Sequence, residues 1–224
     1  MRFYYKIITL SVILAFFFTG CVTVGPEEWV ISQNFSKWKE QNRLETLQEL
    51  GIELALNPSY LAEKKNQISY LLEQRLKSLL AEDPSPMVRV FALESLSLMV
   101  GVQGQNTYIQ ALQDSAFIVR YTALKKLYQF GDFRATSALL KVLKHDLSPQ
   151  CRREAARILA KIGSPAVIKE LIQIWSQEEN LSVQYHLYQS LQKISGVHLP
   201  FYEEEWKWWW EQKKKKTQSQ KDKG

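Results

Sequence analysis

The sequence is short of the residues that carry covalent cross-links and common chemistry. It has two cysteines, three histidines, three methionines, nine glycines and seven prolines in 224 residues. Two cysteines cannot build a disulfide scaffold, and so few Gly and Pro exclude a collagen-like or Pro-rich disordered chain. No His lies in HExxH and no Cys in CxxC, so no metal site is predicted. GxGxxG, Walker and GxSxG loops are missing too, and GVQGQ at 101–105 reads as an ordinary connecting loop. Glu203 to Glu205 form a helix-start charge run, not an acid/base pair. No residues are predicted to be catalytic, no cofactor is implied, and the expectation is a protein that is not an enzyme.

Long apolar runs are also scarce. The longest, Ile7 to Phe18, has twelve residues and follows the basic Arg2 and Lys6. A membrane-spanning helix needs about 20, so residues 1–20 read as an export signal. The run ends in Phe18-Thr19-Gly20-Cys21, which resembles a bacterial lipobox, with Phe18 where an aliphatic residue is usual. The resemblance implies a lipoprotein: Cys21 carries the acyl (palmitate) chains and becomes the mature N-terminus. Val22 follows in place of an Asp, which by analogy with enterobacterial sorting favours the outer membrane, periplasmic side, over the inner membrane. Cys151 is then the only thiol left.

What the chain has in quantity is a repeat. Asp83 is followed by Val88-Arg89, Ala92, Leu96 and Met99. Asp114 is followed at the same offsets by Val119-Arg120, Ala123, Leu127 and Phe130, and Asp146 by Cys151-Arg152, Ala155, Leu159 and Ile162. A fourth copy runs from Glu178 through Val183-Gln184, Leu187, Leu191 and Ile194; the starts differ by 31, 32 and 32 residues. The apolar positions fall on one helical face, and a second stripe (Tyr108, Ile109, Leu112; Leu139, Leu140, Leu143; Ile168, Leu171, Ile172, Trp175) precedes each copy. Ser85-Pro86 and Ser148-Pro149 read as N-cap plus Pro at N1, and the glycine after each unit ends its helix. Neither helix of a unit can hide its apolar face alone, so the units must stack.

The pattern D-x4-VR-x2-A-x3-L with a trailing Gly resembles HEAT-like repeats over residues 67–196. The resemblance implies an all-α fold, a right-handed α-α superhelix (armadillo-type solenoid) of about four to five helix pairs. In that family the acidic residue and the Arg form a structural ladder, which places Asp83, Arg89, Asp114, Arg120, Asp146 and Arg152 in it. Glu178 and Gln184 depart from the pattern, which predicts a weakened rung in the fourth unit. Cys151 stands in the Val slot and reads as core. The predicted organisation is a signal peptide at 1–20, a membrane-proximal linker at 21–36 and a solenoid at 37–196. A Trp-rich capping helix follows at 197–212, then a disordered basic tail at 213–224. Within the solenoid, 37–56 reads as a degenerate cap and 60–81 as the first helix of the Asp83 unit.

Two readings stand for LPFYEEEWKWWWEQ at 199–212. On a helix Tyr202, Trp206, Trp209 and Trp210 share a face, either as a lid on the last repeat or as an interfacial membrane contact. Lys213 to Lys216 could touch anionic lipid, a cell-wall polymer or an acidic protein.

Offsets 7, 11 and 14 from each acidic residue point away from the core. HEAT-like solenoids line their concave face with second helices, so the predicted partner-binding residues are Tyr121, Lys125, Tyr128, Arg153, Arg157, Tyr185 and Gln189. The expected function is a membrane-anchored, non-enzymatic scaffold or adaptor that binds an envelope protein or peptide. Some HEAT-like proteins resemble bilin lyases, which is the alternative. HEAT-like repair glycosylases make nucleic-acid binding a third reading, but no nucleic-acid partner is expected. Net charge is +6, yet residues 21–212 hold 21 basic and 22 acidic side chains. The basic excess sits at the two ends, so it gives no argument for a nucleic-acid groove.

Overall fold

The computed structural model describes residues 26–32, 35–56 and 66–221. The export signal and Cys21 lie outside the described residues. The α-helices are α1 (Pro26–Ile31), α2 (Glu40–Leu56), α3 (Asn66–Glu82), α4 (Pro86–Val100), α5 (Gln105–Ala111) and α6 (Phe117–Phe130). They continue as α7 (Thr136–His145), α8 (Pro149–Ile162), α9 (Ile168–Trp175), α10 (Leu181–Ser195) and α11 (Glu203–Lys221). No strand occurs among the described residues. The fold is an all-α repeat solenoid.

The helices form two layers. α2, α4, α6, α8 and α10 each pack on the next and make one layer; α3, α5, α7 and α9 pair with their successors from the other side. Leu93, Leu96, Leu124, Leu127, Leu139, Leu143, Ile158 and Leu159 are fully buried between the layers. Ala92, Ala123 and Ala155 are fully buried too, where a larger side chain would hold the helices apart. Ser85 and Ser148 cap α4 and α8, each ahead of a Pro at the first helical position. Gly131 and Gly163 end α6 and α8 because a Cβ there would lie 2.4 Å from the carbonyl oxygens of Leu127 and Leu159. Residues 86–111 are apolar and long enough to cross a membrane by composition, but they fold as α4, a 3-10 turn and α5 within this stack.

Two boundaries differ from the sequence reading. The linker expected at 21–36 contains α1, which packs on α2 and α3 and buries Val30 and Phe35 completely. α1 and α2 are therefore a first helix pair, not a linker and a degenerate cap. The described part of α3 starts at Asn66, and residues 57–65 lie outside the described residues. At the other end the basic tail is not disordered through 221: α11 starts at Glu203 and runs on to Lys221. Glu203–Lys207 and Glu211–Lys214 ion pairs brace it, acidic residues fill its first turn, and Lys213 lies 5.0 Å from the Trp209 ring centroid. Pro200 keeps 197–202 out of the helix.

α11 packs on α9 and closes the stack. Trp206 is fully buried, 6.4 Å from Tyr188 and 5.7 Å from Trp209 between ring centroids. Tyr202, expected on the packed face, is exposed because it precedes the helix and does not share its register. Phe201 takes that place, stacked on Trp175 at 5.2 Å. Trp208 is exposed.

Salt-bridged rungs join successive units along one edge. Arg89 forks onto Asp114 (Nε to Oδ2 and Nη2 to Oδ1, both 2.8 Å), and its Nη1 donates to the Asp83 carbonyl at 2.7 Å. Arg120 does the same to Asp146 (2.7 and 3.0 Å) and to the Asp114 carbonyl (3.0 Å). Arg152 repeats it on Glu178 (2.7 and 2.8 Å) and on the Asp146 carbonyl (2.8 Å). Each carboxylate also accepts a backbone N–H two residues on: Ser85 to Asp83, Ala116 to Asp114, Ser148 to Asp146, Asn180 to Glu178. So each Arg ties its own helix start to the next unit's turn, and each carboxylate shapes that turn.

The expected weak fourth rung is corrected in part. Glu178 is a full partner of Arg152. The loss falls on Gln184, which keeps the bond to the Glu178 carbonyl and reaches no further acid. The sequence reading also missed the first rung, Arg43 Nη2 to Asp83 Oδ1 at 3.0 Å, with side chains only 7% and 1% exposed. Leu47 and Leu50 stand four and seven residues after Arg43, as Leu93 and Leu96 do after Arg89. That spacing was the available signal, hidden by a 40-residue separation in place of the usual 25 or 26.

Burial alone would raise the Asp146 carboxyl. Hydrogen bonds from Arg120 and the Ser148 amide, with the charges of Arg120 and Arg152, outweigh it and hold Asp146 below its ordinary value. Glu178 is likewise lowered: burial opposes, while Arg152 and the Asn180 amide prevail. Both carboxyls titrate lower folded than unfolded. Their stabilisation is complete above the unfolded value of about 4 and is lost as pH falls through the folded values. Thermal melts should therefore hold level from pH 7 to about 5 and fall below about 4, less steeply in Asp146→Asn; an identical decline in that variant would show the rung does not contribute.

Arg120→Ala leaves Asp146 buried and unpaired and should cost about 3–5 kcal/mol in urea unfolding, against about 0.5 or less for the exposed Lys125→Ala. Trp206→Ala should cost about 3–5 kcal/mol if α11 is a lid. A loss near that of Lys125→Ala would leave the membrane-contact reading of this segment in place of the lid.

Candidate functional site

The second-helix layer presents a groove across α4, α6, α8 and α10. One part, about 590 Å³, is lined by Glu94, Lys125, Lys126, Tyr128, Gln129, Arg157 and Lys161. The adjoining part, about 280 Å³, shares Tyr128, Arg157 and Lys161 and adds Ala160, His186, Gln189, Ser190 and Lys193. The two are continuous through the shared residues.

Tyr128 is the centre. Arg157 lies over its ring 3.7 Å from the centroid, and Lys161 sits at 4.7 Å while donating to the Tyr128 carbonyl. Arg157 is itself held by buried Glu154, with Nε to Oε2 at 3.0 Å, and that hydrogen bond keeps its guanidinium above the usual value. α8 thus clamps the ring that α6 supplies. Lys126 pairs with Glu94 across α6 and α4. Lys125 lies 5.5 Å from the Tyr121 ring centroid, and Tyr121 stacks on Phe117 at 5.6 Å.

Of the residues expected on the concave face, Lys125, Tyr128, Arg157 and Gln189 line the groove. Tyr121, Arg153 and Tyr185 do not; they sit one turn nearer the helix starts, with Tyr121 and Arg153 half-buried and Tyr185 exposed. The offset rule also fails on α4, where Val90 and Ser97 are buried and Ser97 Oγ donates to the Glu94 carbonyl at 2.7 Å. Lys161 and Lys193 were missed. They stand at offset 15, one helical turn beyond Arg157 and Gln189, so helical spacing from offset 11 would have found them.

Other reactive side chains do not converge here. Cys151 is buried in the core, and burial above all lifts its thiol to about 11, so it stays protonated. His186 is bonded along its own helix to the Ser182 carbonyl at 2.8 Å. No cluster of His, Cys, Asp and Glu able to hold a metal occurs among the described residues.

A comparison with curated proteins returns no match. The family model for HEAT repeats matches residues 73–149 and 136–200, more than half of the chain. Helical repeat scaffolds of this kind serve protein interaction. With its paired helices, its Arg–carboxylate rungs and this match, the chain belongs to the HEAT-repeat family.

Proposed function

We propose that the protein is a membrane-anchored, non-enzymatic scaffold or adaptor of the bacterial cell envelope. In this reading its groove binds a segment of another envelope protein. The observation that carries it is the groove itself: open, crossing the second helices of four units, and built around a clamped aromatic with exposed polar and cationic rims. Tyr and Arg are enriched at binding hot spots, and Tyr128 under Arg157 is such a pair.

The anchor follows from the lipobox resemblance at Cys21. Five residues, Cys21 to Gly25, precede α1. Fully extended, they span at most about 18 Å, so a lipidated Cys21 would keep the first helix pair against the bilayer. Lys213 to Lys216 are exposed on α11 and offer a second contact for anionic lipid or cell-wall polymer.

Photo-crosslinking residues placed at Gln129 and Gln189 in intact cells should capture one discrete envelope protein, identified by mass spectrometry. Tyr128→Ala with Arg157→Ala should abolish that adduct. An unchanged adduct, or none from either position, would contradict the scaffold reading. Labelled palmitate should enter the wild-type chain and not Cys21→Ala; equal labelling would remove the anchor.

A further inference from the structure

Resting on the scaffold reading above, we infer that the groove selects an acidic, extended protein segment whose carboxylates recur at about every third residue. The groove carries uncompensated charge. Lys125, Lys161 and Lys193 are exposed, and among the described residues no carboxylate pairs with them. The acids within reach are already engaged, Glu94 by Lys126 and Glu154 by Arg157. This excess stands on a body with 21 basic and 22 acidic side chains over residues 21–212, so it is local to the groove. Neighbouring unpaired cations repel one another, and an anionic partner relieves that repulsion while gaining attraction.

Spacing gives the register. The cations come from α6, α8 and α10, which pack side by side. Packed helices lie about 8–10 Å apart, and an extended chain advances about 3.3 Å per residue. Carboxylates three residues apart therefore meet successive helices. Arg157 adds a fourth cation whose guanidinium is already oriented by Glu154, so little rotamer freedom is lost when a partner carboxylate meets its free edge. Gln189 beside Lys193 supplies an amide for the partner's backbone.

A phosphate polymer fits less well. Single-stranded nucleic acid needs open aromatic faces for its bases, and the Tyr128 face is covered by Arg157. Three lysines and one arginine are also few beside the roughly six to ten phosphate contacts of a strongly salt-dependent duplex binder.

The test uses the full chain in detergent micelles and a fluorescent peptide with Glu at every third position in a Ser/Gly background, read by anisotropy. The peptide should bind, and its Glu→Gln counterpart should not. A peptide of the same composition with its glutamates contiguous should bind several-fold more weakly. The triple variant Lys125→Glu, Lys161→Glu, Lys193→Glu should lose roughly tenfold or more in affinity with unchanged helical circular dichroism. Replacing Lys213 to Lys216 by Gln should leave affinity unchanged. Loss with the tail variant instead, equal binding of the contiguous peptide, or duplex DNA of matched charge binding as tightly would overturn the inference. No peptide binding alongside a persistent crosslink from Gln129 would overturn this inference alone; silence in both experiments would remove the scaffold reading as well.

Discussion

One contact recurs along the solenoid: Arg89, Arg120 and Arg152, each at the start of a second helix, fork onto the carboxylate that opens the following unit, and Arg43 reaches Asp83 through Nη2. Each forked guanidinium uses one edge for that carboxylate and Nη1 for a carbonyl of its own turn, so a single side chain fixes both an intra-unit bend and the relation between units. The arginine side chains grow more exposed along the chain, 7, 9, 13 and 17% from Arg43 to Arg152, while their carboxylates follow no such trend. Apolar burial drives the stacking. The rungs specify the register at which it occurs, because a slipped pair would leave buried charges without partners.

The groove depends on that register. Tyr128 from α6 and Arg157 from α8 meet across the joint that the Arg120–Asp146 rung spans. The Glu154 carboxylate, buried beneath the groove, is paired with Arg157. The two ion-paired systems thus divide the labour. One is sealed in the edge and sets spacing, and the other faces the groove and sets the orientation of a cation that a partner can reach.

Much of the fold was legible from spacing alone. Asp, Arg, Ala and Leu at fixed offsets identify helix pairs because each slot has one physical role, as turn former, rung, close approach or core. Where other residues fill those roles the pattern fades. α1 and α2 went unrecognised as a pair because Phe35 and Val30 supply core without an acidic opener, and because Arg43 reaches Asp83 across a longer connection. α11 extends into a lysine run that composition alone reads as disordered, since helix-bracing pairs such as Glu211–Lys214 depend on the helix they stabilise. Of the groove, Lys125, Tyr128, Arg157 and Gln189 were readable from helical direction. Tyr121, Arg153 and Tyr185 lie outside it because they sit one turn nearer the helix starts than the residues that line it.

The central claim is that a rung couples adjacent units energetically instead of decorating their edge. A double-mutant cycle on Arg120→Ala and Asp146→Ala, read by urea unfolding, measures that coupling directly. The interaction energy should be about 2–3 kcal/mol, with the double variant more stable than the sum of the single losses implies. Additive losses, within about 0.5 kcal/mol, would contradict it.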